Sequence, residues 1–282
     1  MSPPEPSATD LASVSRNRLV LTVYTAAIFV SALLLFSVQP LFTKMVLPRL
    51  GGSPAVWSVA MVFFQSLLLG GYLYAHFLTQ LPGRVAAVAI HLMLLIAALT
   101  ALPLTIAGGW GEPPSSGYAF WLLGLFAVSI GLPFFALAAN NPLLQAWFVR
   151  TGHPSGRDPY FLYASSNIGS FLALLSYPFL LEPALSLRGQ NLLWTVGYGV
   201  LILLIAGCGA MLLRSPQPVA TESMTEAVDK RPPPTWFTRA RWIFLAAVPS
   251  GLLIAVTAHI STDVAAAPLL WVLPLSLYLL TW

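Results

Sequence analysis

The sequence predicts an all-α fold, a polytopic α-helical membrane protein with about eight transmembrane helices. Three observations carry this. The 282 residues are 57% hydrophobic and only 8% charged, with a mean hydropathy of +0.80, where a soluble domain carries roughly 25% charged residues. The deficit runs along the whole chain rather than marking one core, which reads as membrane. Eight runs without a charged residue recur at close to the ~20 residues that span the hydrocarbon. Lysine and arginine fall mostly in alternate gaps between those runs.

Residues 1–18 mix Pro, Ser and acidic residues without periodicity and read as a disordered cytoplasmic tail. Leu19–Val38 then follows Arg16 and Arg18. It exceeds the ~7–15-residue core of a signal peptide and ends in Val38-Gln39-Pro40, so it is expected to stay as the first helix. The other runs are Ala55–Tyr74, Val85–Leu104, Tyr118–Leu137, Tyr160–Leu181, Leu192–Leu213, Trp242–Ala258 and Val264–Trp282. Pro249, Pro268 and Pro274 interrupt the last two, as is tolerated where helices face a cavity or other protein.

This divides the chain into a six-helix membrane region (19–213), a Pro-rich cytoplasmic linker (214–241) and two further helices (242–282), with the chain ending inside the eighth run. Pro142–Arg150 is expected to form an interfacial helix, with Trp147 and Arg150 at headgroup level. Residues 39–54 are expected to form a long polar junction between the first two spans.

Ten of the thirteen Lys and Arg side chains fall on one side of this topology. They are Arg16, Arg18, Arg84, Arg150, Arg157, Arg214, Lys230, Arg231, Arg239 and Arg241; Lys44, Arg49 and Arg188 fall opposite. By the positive-inside rule both termini are cytoplasmic. The net charge of +4 forms no basic stripe with interleaved aromatics, so nucleic acid is not an expected partner. Cys208 is the single cysteine, which excludes a disulfide within the chain, and the four histidines are far apart, so no zinc site is expected. Gly197-Tyr198-Gly199 and Gly207-Cys208-Gly209 lie inside one span, without the strand and loop of a nucleotide fingerprint, and read as packing glycines. No cofactor and no catalytic motif is indicated. Small residues four apart, at Gly71/Ala75, Ala97/Ala101, Gly169/Ala173 and Ala206/Ala210, would let helices approach closely.

Polar groups at membrane depth are costly, so each becomes a functional candidate. The candidates for a solute or ion pathway are Gln39, Lys44, Gln65, Asn167, Glu182, His259 and Asp263. Each has a structural alternative. Lys44 and Arg49 can snorkel to headgroups, Gln65 and Asn167 can hydrogen-bond a neighbouring helix, and Glu182 before Pro183 can sit at the interface. His91, in the third run, reads either as a satisfied core group or as a proton relay. His259-Ile260-Ser261-Thr262-Asp263 is either an exterior turn or a cluster for a cation or proton. It is a poor match for a catalytic triad, which is assembled from separate segments and needs an oxyanion hole.

The strings VQPLFTKMVLPRLGGSPAVW, FFQSLLLGGYLYAH, NPLLQAWF, DPYFLYASSNIGS, YPFLLEP and HISTDVAAAPLLWVLPLSLYLLTW occur in this order. From about Phe36 to Trp282 the chain closely resembles the membrane region of the bacterial fused MFS/spermidine synthase-like proteins. The family pattern falls on Gln39, Lys44, Gln65, Tyr74 and His76, then on Tyr163, Asn167 and Gly169, then on Glu182, His259 and Asp263. The resemblance implies an MFS-like bundle, present in part, in the bacterial inner membrane. It also implies a following aminopropyltransferase-type domain that uses a nucleoside–sulfonium donor, which this chain does not contain. The loop between the second and third runs lacks the acidic residue of the usual major-facilitator motif and is longer. Two functional classes follow. One is a transporter for a small solute, a cationic one suiting the carboxylates. The other is a membrane anchor for a cytoplasmic synthase-like domain. The lipid bilayer is a partner in both.

Overall fold

The computed structural model describes residues 8–50, 54–114, 116–216, 234–260 and 272–280. They are mostly helical, with no strand among them, as an apolar chain in lipid requires, because only a helix pairs its own backbone groups within one segment. Seven described helices are long and apolar enough to cross a membrane. Two compact units divide between Ser215 and Pro216.

The first unit opens with α1 (Ala8–Leu50), α2 (Pro54–Gln80) and α3 (Arg84–Ala98). Helix α1 corrects two expectations. It begins well before Leu19, and it continues through Pro40 and Pro48, so the polar junction expected from residue 39 is helical up to Leu50. Proline frees a carbonyl one turn back, and membrane helices tolerate this when side chains supply donors nearby. Around Pro40, Ser37 Oγ donates to Leu34 O at 3.3 Å, Gln39 Nε2 to Leu35 O at 3.5 Å, and Trp194 Nε1 to Leu34 O at 3.0 Å.

Helices α4 (Tyr118–Phe126) and α5 (Leu132–Arg150) are joined without a break by a π-helical turn, Ala127–Gly131. They form one span of 33 residues. The surface helix expected at Pro142–Arg150 is instead the second half of α5, with Leu143, Leu144, Trp147 and Phe148 fully buried. Helix α6 (Tyr160–Ser176) passes through a second π turn, Tyr177–Leu181, into the short α7 (Glu182–Ala184). Each π turn adjoins or contains a proline (Pro133, Pro178), whose missing N–H interrupts the regular ladder. Helix α8 (Leu187–Arg214) is capped by Ser186, whose Oγ accepts from Gly189 N.

Helix α5 is the hub, packing on α1, α2, α3 and α8, while α1 packs on α6 and α8. Close approach depends on two glycines. A Cβ at Gly71 would lie 2.9 Å from the α5 backbone at Ala138 and Ala139, and one at Gly169 would lie 2.6 Å from Phe29 O of α1. Of the four small-residue pairs, Gly71/Ala75 and Gly169/Ala173 are therefore contact surfaces. Ala97 and Ala210 face outward, so the pairs containing them are not. Within α8, Gly197 meets Leu34 and Gly209 meets Val88, whereas Gly199 faces open space.

One end of this unit gathers helix C-termini around arginines. Arg84 donates to Leu212 O, Ser215 O and Arg150 O, Arg150 donates to Thr79 O, and His153 bonds Asn17 O at 3.2 Å. Guanidinium groups on the final carbonyls satisfy orphan acceptors and complement the helix dipoles. The start of α1 and the ends of α2, α5 and α8 therefore share one end of the unit. Lys44, near the end of α1, belongs to the opposite one.

The second unit contains α9 (Trp236–His259), capped by Thr235, and the eight-residue α10 (Val272–Leu279). Most of the expected span Val264–Trp282 lies outside the described residues.

Candidate functional site

Two of the candidates, 138 residues apart, form an ion pair: Lys44 Nζ lies 2.7 Å from Glu182 Oε1. Their side chains are about one-third exposed, 36% and 33%. Lys44 therefore does not simply snorkel away, and Glu182 does not stand alone. Glu182 is positioned by the turn that precedes it. Gln190 Nε2 donates to Leu181 O at 3.3 Å and to Leu185 O at 2.9 Å, and Gln190 Oε1 accepts from the Tyr177 hydroxyl at 2.9 Å. Gln190 is almost fully buried, and it braces both flanks of Glu182 from α8. Nothing in the local sequence marks this, since Gln190 sits near the start of its run and reads as a loop residue.

Gln65 and Asn167 do not find the helix partners proposed as their structural alternative. Gln65 is exposed on α2 and Asn167 half-buried on α6, and neither makes a protein hydrogen bond among the described residues. Gln65 belongs to a stripe. Ser58, Gln65 and Tyr72 repeat every seven residues on α2, and all three are exposed, so they share one face. On α6, Tyr163 precedes Asn167 by one turn and is 48% exposed. Helix α5 links these two helices: α2 packs along it, and its Asn141 bonds to α6. Asn141 donates to Ser166 Oγ of α6 at 3.0 Å and accepts from Gln145 at 2.8 Å.

The remaining candidates are Gln39, His259 and Asp263. Gln39 is half-buried and bonds back to its own helix at Leu35 O. His259 closes the last turn of α9, in the second unit. Asp263 lies outside the described residues, as do Ser261 and Thr262.

Sequence reasoning missed a third arrangement, at the centre of the first unit. His91 Nε2 of α3 lies 2.8 Å from Asn140 Oδ1 of α5, and Asn140 Nδ2 donates to Ser31 Oγ of α1 at 2.9 Å. All three residues are buried. This ties three helices through one asparagine. Asn140 was hidden because Pro142 made residues 138 onward read as the exit from a span. The signal that could have found it is the doublet Asn140-Asn141 within an apolar stretch. Among the described residues no three His, Cys, Asp or Glu side chains gather as a metal-binding set. The geometry can pair charges, present polar groups on a membrane-spanning face and hold a buried relay of hydrogen bonds. Comparison with family models, with curated proteins and with solved structures finds no match for this chain.

Proposed function

We propose that this chain is the membrane region of an MFS-like protein that moves a small, cationic solute along the polar faces of α2 and α6. The observation that carries the reading is the pair Gln65 and Asn167. Polar amides on spanning helices, without a hydrogen-bond partner among the described residues, are unfavourable against lipid and suit a water-lined path or a facing protein surface. Tyr72 continues the exposed polar face on α2, and Tyr163 continues it on α6. The Lys44–Glu182 pair supplies a carboxylate that a cationic solute could engage by exchanging with the lysine ammonium. In this reading the arginine-rich end faces the cytoplasm of a bacterial inner membrane, by the positive-inside rule. The resemblance to the fused MFS/spermidine synthase-like family is consistent with it.

The test is flux of labelled spermidine through liposomes containing the full chain. Glu182→Gln and Asn167→Leu are each expected to slow flux about tenfold, the rate equivalent of losing about 1.4 kcal/mol of interaction with the moving solute. Unchanged flux in both variants would remove these side chains from the path.

A further inference from the structure

Three polar atoms around the buried histidine have no hydrogen-bond partner among the described residues: Tyr74 Oη, His91 Nδ1 and Trp147 Nε1. They come from three helices, α2, α3 and α5, and their rings are neighbours. The Tyr74 and Trp147 rings each lie 6.0 Å, centroid to centroid, from the imidazole of His91. His91 and Trp147 are fully buried. A buried polar atom without a partner is destabilising, and three in one neighbourhood are unusual in a native interior.

The donor and acceptor roles are set by the neighbouring bonds. Asn140 turns its Nδ2 to Ser31 and its Oδ1 to His91, so His91 must carry its hydrogen on Nε2 and present a bare lone pair at Nδ1. Trp147 Nε1 can only donate, and the Tyr74 hydroxyl can do either. The group that complements this set donates one hydrogen to Nδ1 and accepts from the indole N–H. A hydroxyl does both. A metal cation does not suit the set, because the indole N–H has no lone pair to offer. A bare ammonium could donate to Nδ1 but would leave the indole N–H without an acceptor.

We propose that Tyr74, His91 and Trp147 form a buried site for a single hydroxyl-bearing guest, either a water molecule or the hydroxyl of a small polyol. The site is separate from the α2–α6 path and stands whether or not that path carries solute. Asn140 is its positioning residue, since it sets which imidazole nitrogen is bare.

Tyr74→Phe tests this, because it removes one hydroxyl and changes little else. If that hydroxyl is bonded to a guest, its loss destabilises the protein; if it is unbonded in the folded state, its loss is neutral or stabilising. The full chain is melted in lipid nanodiscs, in plain buffer and again with glycerol as the polyol probe. Wild type is expected to melt about 2–4 °C above Tyr74→Phe. That advantage in plain buffer identifies the guest as water, and an advantage appearing only with glycerol identifies a polyol hydroxyl. Equal or higher melting of Tyr74→Phe in both media overturns the site. The same melts on Trp147→Phe guard against a local effect of the tyrosine ring.

Discussion

Gly71→Ala is expected to destabilise the first unit by about 1–3 kcal/mol, the usual range for forcing an extra methyl into a packed contact. The added Cβ would lie 2.7 Å from Ala138 Cβ and 2.9 Å from both Ala138 C and Ala139 N. Two of these atoms are backbone of the hub helix, so no rotamer change relieves the contact and α2 must move away from α5. Ala75, Ala138 and Ala139 are all buried in this seam, and separating the helices opens their contacts too. Two controls separate this from a general intolerance of alanine. At Gly70 the nearest atom to a new Cβ is Phe135 Cε2 at 3.4 Å, an ordinary contact. At Gly199 nothing lies within 4 Å, and alanine there should stabilise slightly through its better helix propensity. Thermal melting in detergent should therefore rank Gly71→Ala lowest, Gly70→Ala near wild type and Gly199→Ala at or above it. A wild-type melt for Gly71→Ala would mean that the α2–α5 seam is not as close as described.

Asn140→Leu is expected to cost about 2–4 kcal/mol, from two lost hydrogen bonds and a buried imidazole left without its partner. An average interhelical hydrogen bond in a bilayer is worth only about 0.6 kcal/mol. This case should exceed that because Asn140 is the middle member of a three-residue relay and both neighbours are affected. The effects on the two sides differ. The Ser31 hydroxyl can turn to its own helix backbone, whereas His91, with no exposed surface, has nowhere to turn. Ser31→Ala should accordingly cost less than Asn140→Leu. The double variant Asn140→Leu/His91→Leu should recover part of the loss, since replacing both members by apolar groups removes the orphan. Unfolding midpoints of wild type, Ser31→Ala, Asn140→Leu, His91→Leu and the double variant check this, and additive losses in the double variant would argue against a direct bond.

How much of this was legible in the sequence depends on what lipid dictates. The spans could be read because hydrocarbon forces every backbone group to pair, so apolar runs become helices whatever their neighbours. Span ends were read less well, and the reason is proline. Pro40 and Pro142 look like breaks, but the bilayer removes the alternative of exposing freed carbonyls to water. Beside Pro40, Ser37, Gln39 and Trp194 donate to the neighbouring Leu34 and Leu35 carbonyls, and helices α1 and α5 run on past their prolines. The misplaced end at residue 137 also hid Asn140 from the search for costly polar groups. Lys44 and Glu182 were each visible from the cost of charge at the membrane. Their pairing was not, because it depends on α1 packing beside α6 and on the turn that Gln190 braces. Gln65 and Asn167 were visible one by one, but only the fold shows that neither finds a hydrogen-bond partner among the described residues.

Cysteine accessibility at these two positions tests the central claim most directly. The buried native Cys208 is first replaced by alanine. Gln65→Cys and Asn167→Cys are then compared with Leu203→Cys and Met93→Cys, whose native side chains are 73% and 60% exposed on α8 and α3. A charged, water-soluble methanethiosulfonate is added to the full chain in lipid vesicles. A solute path predicts that the cysteines at 65 and 167 react at least about tenfold faster than those at 203 and 93, and that spermidine slows them, because thiolates form only where water reaches. Reaction no faster than at 203 and 93 would show that the polar faces of α2 and α6 meet lipid, and would contradict the proposed path.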